Sequence, residues 1–176
     1  MDAKEIAKMS YESASQHFIS RYQLRDNILL FFLAAVGTIF GISFGGINMV
    51  KVLFTIPFLS LGCSLLIVHH NLMLGALFLF LSDEICLNFE IDKTKIPQFE
   101  NSNSLKKYFG FALLMRSFSQ LLILFLPSIF ALVMNYNSLY SDKKIDLLIW
   151  YFSFLCLLIG IALILIVHFK QRKLNE

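Results

Sequence analysis

Residues 28–47 read ILLFFLAAVGTIFGISFGGI, a run of twenty residues without a charged side chain. Three further stretches share this character: 52–81, 117–141 and 147–169. A helix needs roughly 20 apolar residues to cross a hydrocarbon core of about 30 Å, and each stretch is long enough. Continuous apolar runs favour helices over the alternating strands of a membrane barrel. We therefore expect an all-α polytopic membrane protein with four transmembrane helices.

The composition also fits a chain that lies mostly in lipid. Of its 176 residues, 57% are hydrophobic and 15% are charged, whereas soluble domains carry about 25% charged residues. The three cysteines are far apart and form no C-x-x-C pair, which argues against a disulfide framework or a zinc site. No small-residue cleavage site follows the first apolar stretch, so we expect an uncleaved first span and no signal peptide.

The basic residues are distributed unevenly around the four stretches. Twelve of the fifteen Lys and Arg lie in the N-terminal segment, the middle loop region or the C-terminal tail, and only Lys51, Lys143 and Lys144 fall in the two short turns. By the positive-inside rule, the strongly basic segments face the cytoplasm. The pattern predicts two helical hairpins in the bacterial inner membrane, with both termini cytoplasmic (N-in/C-in).

The sequence divides into three parts. Residues 1–26 are predicted to form a cytoplasmic amphipathic helix, residues 27–170 a four-helix transmembrane domain, and residues 171–176 a basic cytoplasmic tail. Asp26 or Asn27 is a suitable N-cap for span one. Residues that recur at steps of three and four are expected to lie on one face of the N-terminal helix. These residues are Ala7, Tyr11, Ala14, Phe18 and Arg25.

The second apolar stretch is longer than a bilayer requires. At about 30 residues it would extend roughly 45 Å as a helix, and it contains the polar triplet His-His-Asn at 69–71. We expect a span over 52–70, kinked at Pro57, that continues beyond the triplet. The apolar segment 72–81 is cytoplasmic, interfacial or re-entrant. With the approach to span three it would form a small cytoplasmic collar of helical extensions around residues 72–116.

Three glycines mark one face of the first span. Gly37, Gly41 and Gly45 follow one another at steps of four, which places them on the same side of a helix. Without side chains on that side, another helix backbone can come close, and such packing drives helix association in lipid. The spacing is compatible with packing within one subunit and with packing between subunits. In the second case the glycines form an oligomer contact.

Residues for catalysis or metal binding are not evident. No Asp, Glu, Lys or Arg lies deep in any span, which argues against a proton- or sodium-coupled transporter. His69 and His70 are adjacent, so on a helix they point about 100° apart and cannot readily share one metal. We interpret them as structural. No nucleophile has an evident base and acid beside it, and we expect no enzyme activity, no metal and no cofactor.

A set of basic residues is predicted to face the cytoplasm. Their default partner is anionic lipid, and a nucleotide or short oligonucleotide regulator is the alternative, because phosphate-rich ligands bind basic surfaces. The candidates for ligand binding are Lys93, Lys95, Lys106, Lys107 and Arg172.

The entrance to span one has the pattern Tyr-x-x-Arg-Asp-Asn at 22–27, followed by the glycine-spaced span and a basic inner face. In this layout the chain resembles small oligomeric membrane effectors of bacterial nucleotide-signalled anti-phage defence systems, including Hailong-type channels. The resemblance implies an ion-conducting homo-oligomer that a ligand or an N-terminal element holds shut. Its opening would depolarise the cell.

The pore interpretation gives several residues a role. Span one would pack around the axis of the oligomer, with Phe40 and Phe44 as candidates for a hydrophobic constriction that gates by dewetting. Tyr22 and Arg25, at the entrance of the span, are further pore or gate candidates. The helix 1–26 would act as a plug or sensor.

Two other classes of function fit parts of the pattern. A non-conducting accessory or scaffold protein would anchor a partner protein from the same system in the inner membrane, and would conduct nothing when purified alone. A small transporter or lipid-linked-sugar flippase suits four spans but lacks the expected polar site within the membrane. Coupled flux in an uptake assay would favour that third class.

Overall fold

A computed structural model describes the backbone of residues 3–45, 49–80, 103–140 and 143–173, and within these ranges the side chains of 5–45, 50–77, 79–80, 114–140 and 143–170. Four long helices each contain a segment that is long and apolar enough to cross a membrane. The predicted all-α class, with four helices long and apolar enough to span a membrane, is thereby confirmed, and this length and composition indicate a multi-pass membrane protein. The helices are α1 (Ala3–Gly45), α2 (Thr55–Leu79), α3 (Asn103–Met134) and α4 (Lys144–Lys173).

Successive helices run in opposite directions. Short 3-10 helices, Met49–Phe54 and Tyr136–Tyr140, precede α2 and α4 at one end of the bundle, which we call the turn end. At the other end, which we call the polar end, Arg21 of α1 contacts His70 of α2. Helix α2 is central and packs against the other three. Helix α1 is peripheral, because 17% of its apolar window is buried against 39% in α2.

Helix α1 is one uninterrupted helix. It runs through Asp26 and Asn27, so neither residue caps a new helix, contrary to the sequence prediction. The reason is that residues 3–36 contain no Gly or Pro that would break the backbone hydrogen bonds. On the predicted N-terminal face, Ala7 and Ala14 are buried. The amphipathic segment and span one therefore form one continuous rod.

The start of α2 corrects a second expectation. The chain enters α2 from the 3-10 helix, and Pro57 is the third residue of α2. The first four backbone N–H groups of a helix have no partner within the helix, so a proline there removes no hydrogen bond and does not kink the span. The hydroxyl of Thr55 donates a hydrogen bond of 2.8 Å to the carbonyl of Val52 and joins the two helices.

The extension of α2 beyond His70 packs against the N-terminal half of α1. Leu74 of this extension is buried. The sequence assigned the covering role to the approach to span three, whose side chains at 105–113 lie outside the described residues. Helix α3 begins at Asn103, so that approach is helical, as expected. Between α1 and α2 lies a cavity of about 460 Å³ lined by Ile6, Met9, Ser10, Ser13, Ala14, His17, Leu77 and Phe80.

The centre of the bundle is packed through small residues. Ser60 of α2 donates a hydrogen bond of 2.9 Å to the carbonyl of Leu124 in α3, one turn before Pro127. A β-carbon added to Gly160 of α4 would lie 2.8 Å from the ring of Phe125. Small residues at these points allow close approach of helices in lipid, where packing rather than the hydrophobic effect holds helices together.

The turn end is held by polar contacts between the two short connections. Lys51 and Asp146 form an ion pair of 2.6 Å, and Asn135 donates a hydrogen bond of 3.1 Å to the carbonyl of Val50. Asp146 lies in the first turn of α4, where the helix dipole favours a negative charge. These contacts join the α1–α2 hairpin to the α3–α4 hairpin.

Replacing Lys51 with alanine should destabilise the bundle. Asp146 is 8% exposed, and loss of its 2.6 Å contact with Lys51 removes a charge-assisted interaction of a largely buried carboxylate, at a cost of about 1–3 kcal/mol. Lys51→Ala and Asp146→Ala should each lower the thermal unfolding temperature in detergent, and the double variant should lower it by less than the sum. Strict additivity of the two changes would contradict a coupled pair.

Candidate functional site

The three glycines of span one face away from the rest of the subunit. Among the described residues, a β-carbon added to Gly37, Gly41 or Gly45 would meet no atom within 4 Å. Phe32, which is 1% exposed, lies on the side of α1 that faces the bundle, and Gly41 is nine residues further on, about 180° around the helix. Within the described residues, the glycine stripe has no packing partner of its own subunit, and the choice between the two interpretations from the sequence stays a prediction.

Phe40 and Phe44 belong to an aromatic cluster on one flank of α1. Their rings are stacked with centroids 6.0 Å apart. Phe130 of α3 meets Phe40 edge-on at 5.6 Å and lies 6.5 Å from Phe44. Phe44 and Phe130 are both exposed, at 58% and 44%. The structure thus brings the two candidate gate residues together and adds Phe130, which the sequence analysis did not single out.

Tyr22 and Arg25 are in direct contact at the polar end. The guanidinium of Arg25 lies over the ring of Tyr22, 4.4 Å from its centroid, and donates hydrogen bonds of 3.0 and 2.8 Å from Nε and Nη2 to Oδ1 of Asp26. Arg25 is only 6% exposed. The sequence named Tyr22 and Arg25 as pore or gate candidates at the entrance of span one, and the structure adds that Arg25 is buried at this position.

Two further basic residues lie beside Arg25. Arg21 donates a hydrogen bond of 3.5 Å to Nδ1 of His70 in α2. Arg116 at the start of the apolar part of α3 is close enough to hydrogen-bond Tyr22 and to experience the charge of Arg25. Three helices therefore contribute to one group of side chains, which we call the polar layer. It consists of Arg21, Tyr22, Arg25, His70 and Arg116.

A second polar contact lies at the same end of the bundle, between α3 and α4. The Ser117 hydroxyl and Nδ1 of His168 are 2.8 Å apart. His69 is exposed while its neighbour His70 is buried, as expected for adjacent residues on a helix. Among the described residues, no three His, Cys, Asp or Glu side chains are arranged to hold a metal ion.

None of the five predicted ligand-binding residues has a described side chain. Lys93 and Lys95 lie outside the described residues, while Lys106, Lys107 and Arg172 lie in helices of which only the backbone is described at these positions. Their role in binding stays a prediction.

The polar layer was not recognisable from one stretch of sequence. Arg25, His70 and Arg116 are about 45 residues apart along the chain. Each, taken alone, suggests the end of a span. The available signal is that successive spans run in opposite directions. The start of span one, the end of span two and the start of span three must therefore lie at the same end of the bundle.

Comparisons of this chain with protein-family models, with curated proteins and with solved structures found no match.

Proposed function

We propose that this chain is the subunit of a homo-oligomeric pore or ion channel in the bacterial inner membrane. Its opening depolarises the membrane, and its biological role is that of a gated anti-phage effector. Both termini are cytoplasmic in this proposal, because the long basic segments belong on that side. The observation that carries the proposal is the open glycine face of α1.

The glycine face has no evident use in a single subunit. Glycine within a helix costs roughly 0.5–1 kcal/mol relative to alanine, and among the described residues a β-carbon at Gly37, Gly41 or Gly45 would meet nothing, so no close approach there requires glycine. In a monomer this face would contact lipid, where a larger apolar side chain serves at least as well. Against a second copy of α1, the same three residues permit close contact of two backbones. The stripe is thus accounted for by association between subunits.

The position of α1 favours its role at the centre of the assembly. It is the peripheral helix of the subunit, and its outward side is exposed along the apolar part, with Leu30 at 64% and Phe31 at 75%. In an oligomer built on this face, the aromatic cluster of Phe40, Phe44 and Phe130 lies beside the contact. Apolar rings at such a position form a hydrophobic constriction that closes a pore by dewetting.

The direct test is the membrane potential of bacteria that express the chain alone. We expect rapid depolarisation, read with a voltage-sensitive dye, followed by growth arrest. An inert four-span protein expressed to the same level in the membrane is the control. If the potential stays normal, the pore is closed by residues 1–26 in this proposal. Deletion of that segment should then open the pore and depolarise the cells.

The same cells and purified protein distinguish the alternatives. A scaffold protein gives a normal membrane potential both as the full chain and without residues 1–26. It also shows no conductance in planar bilayers and forms a stable complex with another membrane protein. A transporter gives substrate-dependent flux without a large change in potential. Either result, together with a monomeric purified protein, would exclude the pore.

A further inference from the structure

Arg25 is a buried cation with an unused donor. Its side chain is 7% exposed, and within the described part of the chain its Nη1 is buried without a hydrogen-bond partner. The contacts to Asp26 employ Nε and Nη2 only. Leaving a buried, charged donor unsatisfied is costly. A partner for Nη1 is therefore expected.

The surroundings of Arg25 indicate the charge of that partner. Arg116 and Arg21 carry two more guanidinium groups into the polar layer, and the positive charges of Arg25 and Arg116 oppose each other. Arg25 makes one ion pair in the described residues, with Asp26, whose side chain is 60% exposed. The layer thus concentrates positive charge between helices, where it attracts an anion.

His70 adds a further donor of fixed orientation. Arginine can only donate hydrogen bonds, so the contact from Arg21 requires that Nδ1 of His70 accepts. The ring proton of the neutral imidazole then resides on Nε2, which becomes a donor. His70 is 8% exposed and feels the charges of Arg21 and Arg25. This donor belongs to the polar layer.

The depth of the layer indicates which anion it meets. Arg25 lies three residues before the uncharged stretch 28–47, and Arg116 directly precedes the uncharged stretch 117–141. The layer is therefore at one edge of the apolar part of the bundle, the depth at which lipid phosphates lie. Guanidinium groups match the oxygens of a phosphate because their N–H donors form a planar fork.

We propose that the polar layer is a binding site for a phosphate group, with Arg25 as its central ligand and Arg21, Arg116 and His70 around it. The phosphate is borne by an anionic lipid headgroup or by a soluble phosphate ester. This proposal does not depend on pore formation. It holds equally for a monomer, because all of its residues come from one subunit.

Native mass spectrometry of the full chain in detergent tests the site. The probe is dioleoylphosphatidylglycerol, and dioleoylglycerol, which has the same acyl chains without the phosphate, is the reference. We expect at least about tenfold tighter binding of the phospholipid. Arg25→Gln should reduce that preference by about the same factor. Lys144→Gln, which removes an equal charge from an exposed position at the turn end, should leave it unchanged.

Two results would overturn the proposal. One is equal binding of the two lipids by the wild-type chain, and the other is equal phospholipid binding by Arg25→Gln and Lys144→Gln. If Arg25→Gln is not recovered as a folded protein, Arg25→Lys keeps the charge but loses the planar fork, and is expected to weaken phospholipid binding. Unchanged binding by a folded Arg25→Lys would likewise exclude Arg25 as the central ligand.

A competition measurement shows whether the bound phosphate belongs to a lipid headgroup or to a soluble phosphate ester. Inorganic phosphate is added at millimolar concentration to the lipid-bound protein. Displacement of the phospholipid, with a rise of the unfolding temperature in lipid-free samples, assigns the site to a soluble phosphate ester. Retention of the phospholipid assigns it to a lipid headgroup. Both results support a phosphate site and differ only in its occupant.

Discussion

Gly160→Leu should not be recovered as a folded, monodisperse protein. Even the β-carbon of alanine at this position would lie 2.8 Å from Cε1 and 3.0 Å from Cζ of Phe125, and 3.3 Å from the hydroxyl of Ser64. Phe125 is 3% exposed and belongs to the hydrophobic core, so any movement of its ring disturbs the residues packed around it. The remaining atoms of leucine would force the helices apart.

A smaller substitution at Gly160 should cause a smaller loss of stability. Overpacking of a core costs about 1–3 kcal/mol for small additions, so Gly160→Ala should fold with a lower unfolding temperature. Gly62→Leu is the matched control, because Gly62 also lies within a span but a β-carbon there would meet nothing within 4 Å. Equal unfolding temperatures for Gly160→Leu and Gly62→Leu would contradict the packing described for Gly160.

Gly41→Leu should abolish assembly and conductance while the subunit stays folded. Among the described residues, nothing lies within 4 Å of a β-carbon added to Gly41, and leucine is a better helix former than glycine by up to about 1 kcal/mol. The unfolding temperature of the isolated subunit should therefore be unchanged or higher. In an oligomer packed through α1, however, the leucine side chain would fill the space that a second backbone needs.

The measurement compares oligomer mass and conductance. Size-exclusion chromatography with light scattering gives the mass in detergent, and planar bilayers give the conductance. Gly62→Leu again serves as control, since it makes the same chemical change at an open position on α2, away from the proposed contact. Gly41→Leu with the native oligomer mass and full conductance would show that the proposed role of α1 is wrong.

The spans were predictable because lipid imposes a simple rule. Uncharged stretches of sufficient length have no alternative to a helix in a bilayer, and all four were located from sequence. Predictions made from single residues near the ends of the helices were less reliable. Pro57 suggests a kink when the helix start is unknown, and Asp26 suggests a cap when the helix is assumed to begin there. In both cases the actual helix boundary, which depends on neighbouring turns, decides the role of the residue.

The contacts between helices were predictable only in part. Gly37, Gly41 and Gly45 have a visible spacing, whereas Gly160 is a lone glycine in an apolar stretch and has no pattern around it. Its importance comes from Phe125, which is 35 residues away in sequence. The pairing of Lys51 with Asp146 likewise depends on how the two hairpins lie side by side. Such partners are determined by tertiary packing, which single spans do not encode.

The continuity of α1 has a mechanical consequence. With 43 residues the helix is about 65 Å long, roughly twice the thickness of the hydrocarbon core. A continuous hydrogen-bonded helix resists sharp bending, and no Gly or Pro interrupts α1 before Gly37. We therefore expect torque applied near Ala7 to be transmitted along α1. A rotation at the N-terminal end turns the glycine face within the membrane by a similar angle.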